Sequence, residues 1–218
     1  MRTILVVNPK GGSGKTTLAT NLAVHYALQG KEVALVDFDP QGSATDWLAE
    51  RPEWRAPIHG VEAFHAPARV PRKTEYVIMD APAASRGQAL LDLVKRAETL
   101  VVPVIPSPLD LRAALRFHDE LVSVGRLVRR QVKVITVANR VRENSPSRIM
   151  LEDSLRNLKL PNGRRLPFST YLRQAQIYIR AAEKGLGIFE LAPSTIGHEV
   201  ELWQPLLRWL NSKHSIPA

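Results

Sequence analysis

Lys10, Gly11, Gly12, Ser13, Gly14, Lys15, Thr16 and Thr17 read KGGSGKTT and stand between an apolar run, Ile4 to Val7, and a helix-forming one. Such a sequence is suited to enclosing a polyphosphate. Successive backbone N–H groups of a glycine-rich strand-to-helix turn converge as a nest, and the helix opening near Lys15 adds its positive end. Lys15 then reaches the terminal phosphates, and the Thr16 hydroxyl is placed to ligate magnesium. The standard G-x-x-x-x-G-K-[ST] spacing requires glycine at position 9, where this chain has Pro9; the compact form carries a second lysine, Lys10, instead. A dinucleotide fingerprint with Asp37 as the ribose acid does not fit, because its third glycine falls on Thr17 and Lys15 and Thr16 are left without a role.

Three carboxylates are spaced to face those phosphates. One apolar run ends at Asp37 and continues into Asp39, and another, Tyr76 to Met79, ends at Asp80. In an open parallel sheet, ligands bind outside the carboxyl ends of the strands, so all three acids belong beside the loop. Asp80 has the setting of an acid that holds magnesium through water. Asn139 closes a further apolar run and offers a donor and an acceptor suited to an adenine edge.

Asn8 to Thr17, Asp37 to Ser43 and Pro106 to Asp110 together resemble the deviant Walker A ATPases, which include ParA partition proteins, MinD and the nitrogenase iron protein. The small ParF-like branch of ParA is most similar. The resemblance implies an α/β single-domain P-loop fold, with a mostly parallel twisted sheet and helices on both faces. It implies ATP and Mg2+ as cofactors, Asp39 orienting the attacking water and Asp37 supporting the magnesium shell. Lys10 matches the lysine that reaches across an ATP-bridged homodimer to the partner's nucleotide, and Asn139 and Pro167 match positions that flank the base. It further implies nonspecific DNA binding, a ParB-like or other adaptor that stimulates hydrolysis, and a cargo such as a plasmid, a chromosome region or a carboxysome. One departure is Ala81-Pro82-Ala83 after Asp80, where the family has consecutive prolines.

The 218 residues, 44% hydrophobic, suffice for one domain, and the absence of cysteine excludes an iron–sulfur carrier. The net charge of +9 is unevenly spread: residues 126 to 184 hold fourteen basic side chains against four acidic ones. That asymmetry points to a polyanion, with Arg148, Arg164, Arg165, Arg173 and Arg180 as candidate DNA contacts. No recognition helix or zinc module is visible, so contacts should go to phosphates and weaken steeply with salt. His59 and His65 are not spaced as a metal pair.

The elements that must position these groups follow from periodicity. Strands are expected at 3–7, 33–37, 76–80, 100–104 and 132–138, with an edge strand within Val61 to Phe64. Helices are expected at 15–29, 43–50, 86–97, 109–129, 146–158, 173–184 and 195–212. The alternation predicts a parallel sheet covered on both faces. Arg51 to Lys73 and Pro161 to Arg165 read as surface excursions. Ile196, Val200, Trp203, Leu207 and Leu210 read as a core-facing stripe rather than a lipid anchor, and Pro205 should kink an anchor helix. No apolar run is long enough to span a membrane, and the chain is expected to be cytoplasmic and nucleoid-associated, without a membrane partner. A MinD-like membrane positioner and a dethiobiotin-synthetase-like enzyme are the alternatives.

Overall fold

The computed structural model describes residues 1–65, 67–123, 132–159, 163 and 165–217. Chain order gives β1 (Arg2–Val6), α1 (Lys15–Leu28), β2 (Val33–Asp37), α2 (Ser43–Ala49), β3 (His59–Glu62), β4 (Tyr76–Asp80), α3 (Gly87–Arg96) and β5 (Thr99–Val104). There follow α4 (Pro108–Ser123), β6 (Lys133–Val141), α5 (Pro146–Arg156), β7 (Phe168–Arg173), α6 (Gln176–Ala182) and α7 (Pro193–Leu210). The strands form one sheet in the order β3-β2-β4-β1-β5-β6-β7, and every strand pair is parallel. The single-domain α/β P-loop expectation therefore holds, with a sheet parallel throughout.

Burial on both faces explains the near-continuous Val, Ile and Leu runs. Ile4, Val6, Leu35, Ile78, Val101, Ile135 and Leu172 face α1, α2 and α7, while Leu5, Val7, Val36, Met79, Leu100, Val102 and Val134 face α3, α4 and α5. Each such side chain contributes roughly 1.5–3 kcal/mol. The register then sets the site, because Val6 and Asp37 both pair with Asp80. The end of β1, from which the glycine loop departs, is thereby flanked by the last residues of β4 and β2.

Several boundaries differ from the sequence reading. The helix expected over 173–184 is instead the end of β7 followed by α6, because alternation in Phe168–Arg173, with Thr170 and Leu172 inside, is that of a sheet strand. The edge strand is His59–Glu62, two residues earlier than expected. β6 runs on to Val141, so Asn139 lies within the strand rather than after it. α4 is described to Ser123, and the last six residues of the helix expected over 109–129 lie outside the described residues. α7 passes through Pro205 and buries Ile196, Trp203, Leu207 and Leu210, so its apolar stripe is core and not a lipid anchor. Among the described residues, no helix is long and apolar enough to cross a membrane.

Candidate nucleotide and metal site

Asn8 pins the entry to the loop, its Nδ2 donating to the Pro103 carbonyl (2.5 Å) and its Oδ1 accepting from the Lys10 N–H (2.8 Å). Gly14 is the residue before α1 and has φ +86°, a left-handed conformation that disfavours other residues. It supplies no side-chain cap, so the first-turn N–H groups of α1 are left for an anion. A methyl group at Gly14 would also collide with the amide of Asn139. The Ser13 hydroxyl is buried without a hydrogen-bond partner.

The two lysines occupy different environments. Lys10 is exposed on the loop, whereas Lys15 is 7% exposed, with its ammonium 3.4 Å from the Lys10 carbonyl. Burial lowers the Lys15 pKa, opposed by the charges of Asp80 and Asp39. A buried cation left short of partners is a ready seat for phosphate oxygens.

Asp80 is 1% exposed and accepts a 2.6 Å hydrogen bond from the Thr16 hydroxyl, while its Oδ1 has no partner. Burial above all, with Asp37 and Asp39 adding repulsion, pushes its pKa up to about 7; the Thr16 bond and Lys15 oppose this. An orphaned buried carboxylate oxygen beside a threonine hydroxyl fits a magnesium ion that takes its other ligands from phosphates and water. Thr16 and Asp80 are the residues that would hold it, and among the described residues no cluster of three or more acids or histidines offers an all-protein cage.

Asp39 joins two loops. Its Oδ1 accepts from the Gln41 N–H (3.0 Å) and its Oδ2 from the Ala83 N–H (3.2 Å). In the segment that departs from consecutive prolines, Ala84 has φ +62° and its N–H donates to the Pro9 carbonyl (2.9 Å). Asp37 requires a correction. Its Oδ2 accepts from the Ala44 and Thr45 N–H groups and the Thr45 hydroxyl (3.0–3.2 Å) and so secures the start of α2, while its Oδ1 accepts from the Asp39 N–H (2.9 Å), so its hydrogen bonds go to backbone and Thr45. The metal reading rested on the family resemblance; in this fold the carboxylate is engaged chiefly in holding the β2–α2 junction.

Gly11, Gly12, Gly14, Lys15, Thr16, Thr17, Asp39 and Asn139 line one cavity of about 640 Å³, whose other wall is Leu172–Gln176 and Tyr178. Asn139 Nδ2 donates to the Ser13 carbonyl (2.8 Å), which holds the loop while its Oδ1 stays available. Pro167 is not at this site: it precedes β7 at the opposite end, where its carbonyl accepts from the Thr136 N–H (2.9 Å). The turn that does close the cavity is Gln174–Gln176, which the misread helix concealed. Arg140, at φ +53°, reaches the Gly12 carbonyl with its guanidinium (2.9 Å) and was visible in sequence only as part of the bulk charge.

The candidate DNA arginines separate by pairing. Arg173 is held by Glu199, itself 2% exposed, and by Glu143 at 3.1 Å, and Tyr178 completes the Glu199 carboxylate at 3.1 Å. Arg148 pairs with Glu152 (3.2 Å) and lies over the Tyr171 ring. Both therefore have carboxylate partners that were invisible as neighbours in sequence, Glu152 being shared with Arg156 and Glu143 with His198. Arg165 and Arg180 are exposed; Arg164 lies outside the described residues, as do Arg126, Arg129 and Arg130.

Residues 4–188 match the CobQ/CobB/MinD/ParA nucleotide binding domain family. The chain belongs to this family and is an ATPase. It is 34% identical over 203 residues to the "Maintenance of carboxysome distribution protein A" of Gloeobacter kilaueensis, covering 87% of this chain and 84% of that protein. It is 39% identical over 137 residues to the chromosome-partitioning ATPase Soj of Thermus thermophilus, covering 57% and 55%. The solved structure titled apo McdA from "Cyanthece" superposes with a TM-score of 0.73 at 16% identity, covering 95% of this chain and 99% of that one, a likeness of fold.

Proposed function

We propose that this ParA/MinD-family ATPase is magnesium-dependent, pairs face to face when loaded with ATP, binds DNA without sequence preference in that state, and releases it on hydrolysis. An adaptor protein stimulates turnover and couples the cycle to a cargo. Two observations support the reading of the engine: Lys15 is buried against the acids, while Lys10 stands exposed on the same loop with no carboxylate partner among the described residues. The second arrangement suits a side chain that works on a neighbouring molecule's nucleotide.

Catalysis here is positioning and charge. Magnesium held by Thr16 and Asp80 would neutralise the phosphates. Lys15 and the uncapped N–H groups of α1 grip the phosphoryl oxygens, Asp39 orients the attacking water, and Lys10 of a second copy adds positive charge where the transition state develops negative charge. Asn139 and the Gln174–Gln176 turn receive the base. Because Asp39 also ties the Gln41 and Ala83 loops together, use of its oxygens in turnover is coupled to the shape of the face carrying the cavity.

The cargo is inferred from relatives named for carboxysome distribution and chromosome partitioning: a protein assembly such as a carboxysome, a plasmid or a chromosome region. Exposed Arg165 and Arg180 are the described members of the original arginine set free to meet DNA phosphates. Retention of a random-sequence duplex with Mg-ATP and with Mg-ADP, across a salt series, tests the reading. Binding should require ATP and fall steeply with salt; equal retention with ADP, or none with ATP, would refute it.

A further inference from the structure

A second cavity, of about 420 Å³, adjoins the nucleotide cavity and shares Arg140, Arg142 and Gln174 with it. Its far wall is Ile105, Pro106, Ser107 and Ser147, so the lining contains two guanidinium groups, two hydroxyls and an amide but no carboxylate. What sets this lining apart is two guanidinium groups facing one cavity with no acid in its wall. Arg2, Arg51, Arg148, Arg156 and Arg173 all have carboxylate partners, whereas Arg142 has none among the described residues and the Arg140 side chain has only the Gly12 carbonyl.

Two further features bear on the lining. Arg140 keeps a left-handed backbone that residues other than glycine rarely adopt, and this local cost is retained where the guanidinium reaches the Gly12 carbonyl at the edge of the nucleotide cavity. Ser107 immediately precedes the 16-residue α4, whose first turn carries Asp110, and Ser147 lies in the first turn of the 11-residue α5, so both helix ends adjoin the lining and the positive end of α5 is the one not offset by an acid in its first turn. Planar guanidinium groups match the paired oxygens of a phosphate.

We propose that this cavity is a second phosphate-binding site, distinct from the seat of the nucleotide's own phosphates, and that Arg142, Arg140 and Ser147 receive a phosphate group presented from outside. The group is either free orthophosphate or a phosphodiester of a nucleic-acid backbone. The second source rests on the DNA binding proposed above; the first does not.

The test places charge on the wall that the nucleotide does not share. Ser147→Glu inserts a carboxylate in the first turn of α5, where it also favours the helix, and Ser147→Arg inserts the opposite sign. Orthophosphate binding to the ADP-loaded protein is titrated by calorimetry, and retention of a random-sequence 30-base-pair duplex is measured with Mg-ATP, for wild type, both Ser147 variants and Arg142→Ala. Phosphate affinity should fall at least tenfold in Ser147→Glu and Arg142→Ala and rise in Ser147→Arg. Parallel changes in duplex affinity identify the phosphodiester as the source, and unchanged duplex affinity identifies orthophosphate. If wild type retains no duplex at all, the DNA reading fails while the phosphate titration still decides this one. Affinities for both ligands within twofold of wild type in Ser147→Glu and Arg142→Ala, or shifts of the same sign in the two Ser147 variants, would overturn the proposal.

Discussion

Replacing Asp80 by asparagine should stabilise the nucleotide-free protein, and by an amount that grows with pH. The folded pKa of Asp80 is raised from 3.8 to about 7 by its burial. Between those values the folded state binds a proton that the unfolded state has lost, so stability falls as pH rises through this window and is level above it. At about 1.4 kcal/mol per unit, the wild type loses about 2 kcal/mol between pH 5 and pH 7, and about 3 kcal/mol by pH 8, from this group alone. Asparagine is the same size, can still accept from the Thr16 hydroxyl and does not titrate. Urea unfolding of both proteins without nucleotide or magnesium, at pH 5 and pH 8, reads the difference directly. The stability of Asp80→Asn relative to wild type should increase by about 3 kcal/mol from the lower pH to the higher. Mg-ADP should then reverse the order by stabilising wild type more. A difference independent of pH would refute the claim that Asp80 is a buried acid awaiting a cation.

Three other outcomes follow from the same geometry. Lys15→Ala should abolish ATP binding measured with a fluorescent analogue, since no other cation lies buried in the loop; retained tight affinity would refute the loop assignment. Gly14→Ala forces both a collision with Asn139 and an unfavourable φ, so thermal melts should show at least about 1–3 kcal/mol of destabilisation together with weakened nucleotide binding. His25, packed beside Tyr26 and Phe189, has its pKa lowered from 6.5 to about 4 by burial, so its contribution is complete above pH 6.5 and is lost as pH falls towards 4. His25→Gln should flatten that acid limb in urea titrations, and an unchanged limb would clear the residue.

The loop and the strand-terminal acids were legible because a nest of N–H groups needs glycines at fixed spacing and because burial on both sheet faces leaves uninterrupted apolar runs. The roles of Asp37, Arg148 and Arg173 were not legible. Each depends on a partner brought close only by the fold: the start of α2 for Asp37, Glu152 and the Tyr171 ring for Arg148, and Glu143 and Glu199 for Arg173. Residue type told that these groups are charged, but not that they already had partners. β7 was missed for a related reason, since Tyr171 to Arg180 contains enough helix formers to hide a six-residue alternation that only pairing with β6 reveals. The base-flanking turn was consequently read at Pro167 rather than at Gln174–Gln176.

Sedimentation of Asp39→Ala with Mg-ATP and with Mg-ADP tests most directly whether Lys10 serves a second molecule. The account predicts a dimer with ATP that Lys10→Ala, added to the same chain, disrupts without loss of ATP affinity. A species that stays monomeric with bound ATP would contradict it.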